Sequence, residues 1–444
     1  MQEKSAFQVG CCQKSITPAY SVPLSGYGNT SFRMSAEVMD PIYTKAMAFR
    51  CADHTALIVE NDLSSSVKFI TDEARQQISE RSGIPEDNIM IACIHLHSAP
   101  DQWNLDEPSI QRYNRELVDA IVENALDAVA DMSPATARMG FDVVENLNYI
   151  RHYVLADGHV RGPSFGLQYD SPKVAHTREP DKIMQVVAFA REGKEDVVMV
   201  NWQAHPQIAT INHYNSITAD TVGVMRNYVE KKFGCKVFYV LGASGNVQAI
   251  SLIKGETRYE DHISYGEAFG KAVEKILLSE MKPLNLNEVK TTKKVFLATI
   301  DKADASKLKM AEAVFAQWSK DNDYKAAVKA GEPWGINSPY HAKAIIQRSE
   351  LPENEELALY AFSFGQLAFV FAPYEMFCEN GSFVKENSPF ACTFVSTLAN
   401  RAMSYIASKQ GFDYNCYEAN TCRYVRGTAE ELAECFVEML GQLK

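Results

Sequence analysis

Two histidines separated by one residue, His95 and His97, occur in the stretch "IHLHSAPD" after the apolar run "NIMIAC". Side chains at positions i and i+2 lie on the same face of an extended chain, so an extended backbone would bring both imidazoles to one point. Imidazole is a common zinc ligand and also transfers protons readily near neutral pH. The pair alone therefore leaves three interpretations open: half of a metal site, a proton-transfer pair, or structural histidines.

Polar side chains follow two further predicted strands, in "VNWQAHPQ" and "LGASGNVQ". His205 lies in the first stretch, and Asn246 and Gln248 lie in the second. Strand ends and the loops after them are where α/β proteins place their sites. A single histidine there is more often structural. A Gly/Ser turn either binds an anion through its backbone N–H groups or is an ordinary turn.

Two charged residues also follow apolar stretches. Glu375 comes after "VFAPY", and a buried carboxylate there requires a partner, either a metal ion or an arginine. Arg151 follows "NYI" and is suited either to clamping a carbonyl or carboxylate group or to pairing with an acid. The other histidines in polar stretches are expected to be solvated; they are His54, His159, His176, His262 and His341.

The elements that would position these residues alternate between strand and helix patterns. Apolar residues at helical spacing, with Ser66 as a candidate N-cap and Gly83 after the last turn, predict a helix over residues 66–83. Further helices are predicted over residues 109–132 and 218–234. Strand patterns cover residues 55–62 and 88–95, with hairpins around "REGKE" and, within residues 357–373, at Gly365. This alternation predicts an α/β (α+β mixed) fold with mixed β-sheets flanked by helices.

The chain of 444 residues is long enough for one large catalytic domain, which we expect to span residues 1–444. Residues 301–350 are charged and helical in pattern, which predicts an insertion or lid in that domain. A helix over "TAEELAECFVEMLGQL" is predicted to close the chain. The sequence leaves the oligomeric state open.

The composition narrows the classes of protein. A net charge of −12 argues against binding nucleic acid or an anionic membrane surface, both of which need a basic face. No apolar run reaches the ~18–20 residues that span a bilayer. The start lacks a basic and apolar leader, so we expect a cytoplasmic protein. The ten cysteines form no CxxC pair, which favours reduced thiols, although Cys416 and Cys422 are close enough for a disulfide.

Short motifs along most of the chain occur in an order that resembles the neutral/alkaline non-lysosomal ceramidase family, specifically its N-terminal catalytic domain. Each motif is loose, and their common order makes the resemblance specific. They are "VGCCQKSITP", "PLSGYG", "DPIYTKAMAF", "IHLHSAP", "NYIRHY", "VNWQAHP", "ITAD", "GASGNV", "APYEMFCENG", "NRAMSYI" and "CYEANT".

The resemblance implies a zinc ion held by two histidines, a glutamate and a tyrosine. Carried over to this sequence, the ligands are His95, His205, Glu375 and Tyr405. Imidazole and oxygen ligands suit zinc, which acidifies a bound water towards neutrality.

The resemblance also assigns residues beside the metal. It implies that His97 polarises the scissile carbonyl or stabilises the oxyanion. Arg151 and Tyr417 match positions that line the same pocket, with oxyanion-stabilising or substrate-orienting roles. Asp220 is expected to orient a ligand or, equally, to cap the helix over residues 221–233.

Two departures from the family pattern shape the expected substrate. The family carries a serine after Gly-Asp-Val, whereas this chain has Gln248 there and Asn246 in place of the acid. A nucleophilic serine is therefore not expected, and a metal-activated water needs none. The two amides predict a substrate-binding pocket more polar than a ceramide site. We also expect no C-terminal immunoglobulin-like domain.

Together these features predict a zinc-dependent amidohydrolase acting on a small-molecule or lipid-like amide that is smaller and more polar than ceramide. The alternatives are an esterase or lactonase using the same zinc site, a true ceramidase, and a non-catalytic metal-binding protein.

Overall fold

The computed structural model describes residues 6–27, 33–162, 172–256 and 258–444. Gly28, the last residue of the motif "PLSGYG", lies outside the described residues. The strands, in chain order, are β1 (Gln8–Ser15), β2 (Glu37–Val38), β3 (Tyr43–Cys51), β4 (His54–Asn61), β5 (Ile89–Cys93), β6 (Ser133–Val143), β7 (Tyr149–Ile150), β8 (Tyr153–Leu155), β9 (Val160–Arg161), β10 (Lys173–His176), β11 (Ile183–Arg191), β12 (Val197–Trp202), β13 (Ser216–Ile217), β14 (Lys236–Leu241), β15 (Val247–Gln248), β16 (Lys282–Leu284), β17 (Lys290–Thr299), β18 (Asn354–Phe364), β19 (Leu367–Phe371), β20 (Glu375–Met376), β21 (Cys392–Ser396) and β22 (Tyr405–Ile406).

The α-helices connect these strands and cover the sheets. In chain order they are α1 (Lys68–Ser82), α2 (Pro108–Ala130), α3 (Asp220–Phe233), α4 (His262–Leu277), α5 (Ala305–Asp321), α6 (Tyr324–Gly331), α7 (Pro339–Glu350), α8 (Cys378–Glu386), α9 (Lys409–Asp413), α10 (Tyr417–Thr421) and α11 (Thr428–Leu443).

The larger sheet has nine strands in the order β14-β12-β11-β6-β1-β3-β4-β5, with β16 pairing to β6. It is mixed, because β4 pairs with β5 and β12 with β14 in parallel while the other pairs are antiparallel. Alternate residues of β3 point to the two opposite faces of the sheet. Ala46 and Ala48 pack in the cluster that includes the residues of α1 to α4, whereas Met47 and Phe49 face the other side.

The second sheet, β17-β18-β19-β21, packs face to face against the first. Aromatic side chains fill the space between them, and the rings of Phe49 and Phe364 stack at 4.3 Å between centroids. The outer face of the second sheet packs against α11 through Leu432, Phe436 and Leu440. The described chain is thus layered helix–sheet–sheet–helix, which confirms the predicted mixed sheets flanked by helices.

Both predicted hairpins are present, β11–β12 and β18–β19, the latter turning at Gly365 with a φ of +64°. The Ser66 N-cap prediction is wrong. Helix α1 begins after Val67, and the Ser66 hydroxyl lies within hydrogen-bonding reach of the Ile91 carbonyl and the Cys93 thiol instead. The hydroxyl is used inside the core and is unavailable to the helix terminus.

Residues 301–350 contain α5, α6 and α7, as their helical pattern predicted. These helices share a small apolar cluster, made of Ala311, Val314, Ala327, Ile336, Ala342 and Ile345. Arg348 ties the insertion to the rest of the chain, since its Nη1 donates to the Cys422 carbonyl at 2.6 Å. A lid function for this segment remains a prediction.

Two further sequence expectations meet the structure here. His262 and His341 are buried, so the expectation that they are solvated is wrong. The ten cysteines are all free thiols, including Cys416 and Cys422. Among the described helices, none combines the length and apolar character needed to cross a membrane.

His341 gives the insertion a pH-dependent stability. Its Nδ1 accepts the Asn337 N–H at 3.3 Å, which requires the ring to be unprotonated at that atom. Burial, with smaller contributions from Arg348 and Lys307, lowers the pKa of His341 to about 3. In the unfolded chain His341 has an ordinary pKa of about 6.5, so the unfolded chain takes up the proton first as pH falls. The contribution of the neutral ring to the free energy of unfolding is therefore complete above that pH and is lost progressively below it.

We expect the free energy of unfolding of the wild type to fall by about 2 kcal/mol more than that of His341→Gln between about pH 7 and about pH 5. Urea titrations at the two pH values measure this difference. His54→Gln, at an exposed histidine, is the matched control and should keep the wild-type slope. Equal slopes for His341→Gln and the wild type would contradict a buried neutral His341.

Candidate metal centre and its cavity

His95 and His97 lie in the loop after β5, which ends at Cys93. The predicted strand through residue 95 is therefore too long, and His95 has a φ of +66°, in the left-handed region. Alternation along an extended strand cannot be what brings the imidazoles together. The strained turn at His95 does so instead, and strain of this kind persists only where surrounding contacts enforce it.

Glu375 and Tyr405 are brought together by a two-residue parallel pairing. Strand β20 pairs with β22 so that Glu375 stands opposite Tyr405. His205 reaches the same place through a bridge to Gln248, whose strand β15 pairs in turn with β7, directly before Arg151. Five segments far apart in sequence therefore converge through short local pairings.

The side-chain atoms of this group meet at one point. Glu375 Oε2 lies 3.1 Å from His95 Nε2 and 3.3 Å from His205 Nε2. His97 Nε2 lies 3.4 Å from His95 Nε2. One nitrogen from each of the three histidines falls within 4.8 Å of the others, and all three residues are buried. We call His95, His97, His205 and Glu375 the histidine cluster.

Backbone carbonyls fix the orientation of two of these rings. His95 Nδ1 lies 2.7 Å from the Ser64 carbonyl, and His205 Nδ1 lies 2.8 Å from the Val247 carbonyl. A carbonyl only accepts, so each Nδ1 carries the hydrogen and each neutral ring presents an Nε2 lone pair to the cluster. Glu375 Oε2, although buried, has no hydrogen-bond donor among the described residues. Lone pairs and a carboxylate oxygen without a donor fit a bound cation.

The electrostatics agree with a cation site. Burial lowers the pKa of His97 well below its ordinary value and, with Arg151, lowers the pKa of His205 to about 4. Burial alone would raise the pKa of Glu375, but His95 and His205 outweigh it and hold that pKa well below its ordinary value. At neutral pH His97 and His205 are therefore uncharged beside an ionised carboxylate, which is the ligand state that metals require. Burial lowers the pKa of His95, but Glu375 outweighs it and raises that pKa above its ordinary value, so a metal would compete with a proton at this ring.

Arg151 is held by an acid that the sequence reasoning missed. Its Nε donates to Glu418 Oε1 at 2.6 Å, and Glu418 Oε2 lies 3.1 Å from His152 Nε2. The Arg151 Nη1 lies 3.4 Å from His205 Nε2, while Nη2 is buried without a partner among the described residues. Glu418 lies next to Tyr417 in the motif "CYEANT", and that adjacency was the available signal.

A second group with metal-ligating atoms lies behind Arg151 and comprises His152, Cys416 and Glu418, all buried. Both carboxylate oxygens of Glu418 are already engaged, one by Arg151 and one by His152. This group therefore serves to position the guanidinium.

Tyr405 lies beside the Arg151 guanidinium, and Tyr417 lies beside Tyr405. The Arg151 Cζ is 5.3 Å from the Tyr405 ring centroid, and the Tyr405 and Tyr417 ring centroids are 5.9 Å apart. Burial raises the pKa of both phenols, so each hydroxyl remains protonated unless a cation is adjacent. Both rings line the large cavity beside the histidine cluster.

The two predicted substrate-binding amides differ in position. Gln248 lines the cavity, and its Nε2 donates to the Tyr153 hydroxyl. Asn246 is not part of the cavity wall, because its Nδ2 donates to Glu379 and its Oδ1 accepts the Cys378 N–H at 2.8 Å. The structure gives Asn246 a scaffold position instead of a substrate-binding one.

Asp220 holds the loop that follows His205 and contacts no cluster residue directly among the described hydrogen bonds. It is the first residue of α3, and Ala219 occupies the N-cap. Its carboxylate accepts the N–H groups of Ala209 and Thr221, the first in the loop that follows His205. It therefore fixes the loop after a cluster residue, and among the described residues it makes no hydrogen bond with His205 itself.

The turn "GASGNV" uses three of its N–H groups, those of Gly242, Gly245 and Val247, to bond backbone carbonyls, which favours an ordinary turn. Gly245 N–H donates to the Met376 carbonyl at 2.8 Å, and Val247 N–H donates to Ser244. A Cβ at Gly245 would approach the Glu375 carbonyl oxygen to 2.7 Å, so only glycine permits this approach to the backbone that carries the cluster glutamate.

The cavity beside the cluster has a volume of about 1060 Å³. Its wall contains four cationic side chains, Arg33, Arg151, Lys343 and Arg423, but only two acidic ones, Asp101 and Glu375. The remaining lining mixes polar residues, chiefly serines and glutamines, with apolar ones such as Leu24, Trp103 and Leu398.

Comparison with known proteins identifies the fold. No protein-family model and no curated protein sequence matches this chain. Among solved structures it is similar to neutral ceramidase from Pseudomonas aeruginosa, with a TM-score of 0.74 at 16% identity over 99% of this chain and 75% of that one. It is also similar to a ceramidase complexed with C2, with a TM-score of 0.71 at 17% identity and the same coverage. The chain thus has a neutral-ceramidase-like fold, as its motifs implied.

The histidine cluster should bind a divalent metal. We expect His205→Ala to lower the affinity for zinc at least about tenfold, because the variant loses one neutral imidazole of the cluster. Elemental analysis and competition with a chromogenic chelator measure this change. His159→Ala, whose side chain is 66% exposed, should bind zinc like the wild type. Undiminished zinc affinity in His205→Ala would contradict the assignment.

Proposed function

We propose that this chain is a zinc-dependent hydrolase that cleaves an amide bond in a substrate smaller and more polar than ceramide. The observation that carries the proposal is the convergence of His95 Nε2, His205 Nε2 and Glu375 Oε2 on one point beside a large cavity. The neutral-ceramidase-like fold supports the class of reaction.

The residues that would hold zinc are His95, His205, Glu375 and Tyr405. When bound there, zinc supplies Lewis-acid polarisation of a carbonyl and acidification of a water molecule. The Tyr405 phenol is suited to this role only beside a cation, since burial otherwise keeps it protonated. Ser64 and Val247 contribute carbonyl oxygens that keep the two imidazoles in the ligating tautomer.

Arg151 is proposed to stabilise the negative charge that develops on the substrate's carbonyl oxygen. Its Nη2 is a buried donor without a partner among the described residues, and Glu418 fixes the guanidinium in advance of substrate binding. A preoriented donor of this kind stabilises a transition state more than a ground state. Tyr417 lines the same wall and is proposed to orient the substrate.

His97 is proposed to polarise the scissile carbonyl or to stabilise the oxyanion on the substrate side of the cluster. It lines the cavity, and burial holds its pKa well below the ordinary value, so the ring is neutral and can donate a hydrogen bond there. Its Nδ1 is buried without a partner among the described residues. Its Nε2, 3.4 Å from that of His95, also allows it to assist in holding the metal.

Gln248 supports hydrolysis without a covalent acyl intermediate. It occupies the place where the resemblance puts a catalytic serine, and an amide cannot act as that nucleophile. Tyr153 holds its Nε2, so the side chain is ordered in the cavity wall. The polar lining around it supports a substrate with several hydrogen-bonding groups in place of a long lipid chain.

Removal of zinc should abolish hydrolysis, and stoichiometric zinc should restore it. The substrate panel contains matched amides and esters of short, polar acyl groups together with a long-chain ceramide. We expect amides of the polar group to be turned over best. Activity that survives complete zinc removal contradicts the proposal, and turnover of esters alone would favour an esterase or lactonase.

Arg151→Lys should lower kcat by about 100-fold with zinc content unchanged. The lysine keeps a cation opposite the buried Glu418 but loses the planar guanidinium fork, including the Nη2 donor. Steady-state kinetics with zinc quantified in the same sample measure the effect. Arg81→Lys, at an exposed arginine, is the control and should leave kcat unchanged. Wild-type kcat in Arg151→Lys would exclude the proposed role.

A further inference from the structure

One part of the cavity wall, formed by α7 and the segment after α10, carries positive charge although the whole chain is negatively charged. The chain carries a net charge of −12, yet cationic side chains outnumber acidic ones two to one around this cavity. Glu375 belongs to the histidine cluster, and Asp101 accepts the N–H groups of Trp103 and Asn104 in its own turn. Neither acid therefore pairs with Lys343 or Arg423.

Two of the four cations are held by other groups of the chain. Arg33 donates to backbone carbonyls, including that of His97 at 2.7 Å. Arg151 is bound to Glu418. Lys343 is different, since this half-buried lysine has no hydrogen bond or ion pair with any described residue. Arg423 is only loosely paired, with Nη1 3.9 Å from a Glu355 carboxylate that already accepts from Arg401 at 2.7 Å.

Helix α7 places Lys343 on the cavity wall next to Tyr417. Tyr340, Lys343 and Gln347 lie three and four residues apart on α7 and therefore share one face of the helix. The Tyr340 ring centroid is 6.4 Å from that of Tyr417, so this face begins beside the proposed substrate-orienting tyrosine. Both Lys343 and Gln347 line the cavity.

Arg423 is held against the same helix. Arg348 on α7 donates to the carbonyl of the preceding residue, Cys422, at 2.6 Å, and the Asp301 N–H donates to the Arg423 carbonyl at 2.8 Å. The backbone of residues 422–423 is thereby fixed beside α7. Two cations and an amide on adjoining elements of one cavity wall are suited to recognising a small anion.

We propose that Lys343, Arg423 and Gln347 form an anion subsite, and that the substrate is an amide carrying a carboxylate, sulfonate or phosphate at its end remote from the scissile bond. The inference rests on the proposed function for the identity of the scissile bond, but the anion subsite itself does not depend on catalysis. It places charge recognition on the helical insertion and leaves bond cleavage to the histidine cluster.

Matched probes test the subsite. N-octanoyl-γ-aminobutyrate and its sulfonate analogue N-octanoyl-homotaurine carry an anion on the amine side, and N-octanoyl-γ-aminobutyramide is the neutral counterpart. Glutaryl anilide and its terminal amide form the corresponding pair for the acyl side. Calorimetric binding to the metal-free full chain is measured beside hydrolysis by the zinc-loaded chain.

We expect the acidic member of at least one pair to bind about tenfold more tightly than its neutral counterpart, and Lys343→Gln to remove that preference. Lys343→Glu should reverse it. Lys329→Gln changes the same charge on α6, away from the cavity wall, and should keep the wild-type preference. A preference for the carboxylate over the sulfonate, or the converse, identifies which anion the subsite takes.

The outcomes separate the two proposals. Equal binding of acidic and neutral members, or an undiminished preference in Lys343→Gln, overturns the anion subsite even if zinc-dependent hydrolysis is found. Anion-selective binding that Lys343→Gln abolishes supports the subsite even if none of the amides is hydrolysed, in which case the proposed function fails alone.

Discussion

The buried carboxylate of Glu375 is the constraint on which the site depends. An ionised carboxylate removed from water needs compensating positive charge, and here its nearest neighbours are the Nε2 atoms of His95 and His205. Those rings are held as Nδ1–H tautomers by backbone carbonyls, so their lone pairs face the carboxylate oxygen. Neutral rings in this orientation leave the carboxylate oxygen without a donor, whereas a proton on His95, whose pKa Glu375 raises, or a bound cation would compensate it. A cation uses the lone pairs of both rings as well as the carboxylate oxygen, which is why the three groups together fit a metal.

The layered sheets supply the rigidity, but they do not build the centre directly. The residues that converge belong to strands of two residues, to a single bridge and to loops at the ends of long strands. Backbone strain is concentrated there, since His95, Leu398 and Ser404 all have positive φ and all line the cavity. The packed core between the two sheets is what allows such conformations to persist.

The sequence predicted the fold class, both hairpins, the helical insertion and the members of the cluster, because apolar periodicity and ordered motifs are local signals. It could not predict how the histidines converge, since the turn at His95 depends on contacts with residue 64. It offered only the adjacency to Tyr417 as a signal for Glu418, and it could not show the pairing with Arg151, which is 267 residues away. Asn246 lies outside the cavity wall, because the scaffold uses both of its side-chain polar atoms.

The central claim is that the histidine cluster, and not the neighbouring group of His152, Cys416 and Glu418, holds the metal. Both groups bring three ligating atoms within 4.8 Å, but only the second contains sulfur. X-ray absorption at the zinc edge of the purified, zinc-loaded chain distinguishes them most directly. The account predicts a shell of nitrogen and oxygen ligands with imidazole scattering and no sulfur. A zinc–sulfur distance of about 2.3 Å would contradict metal binding by the histidine cluster.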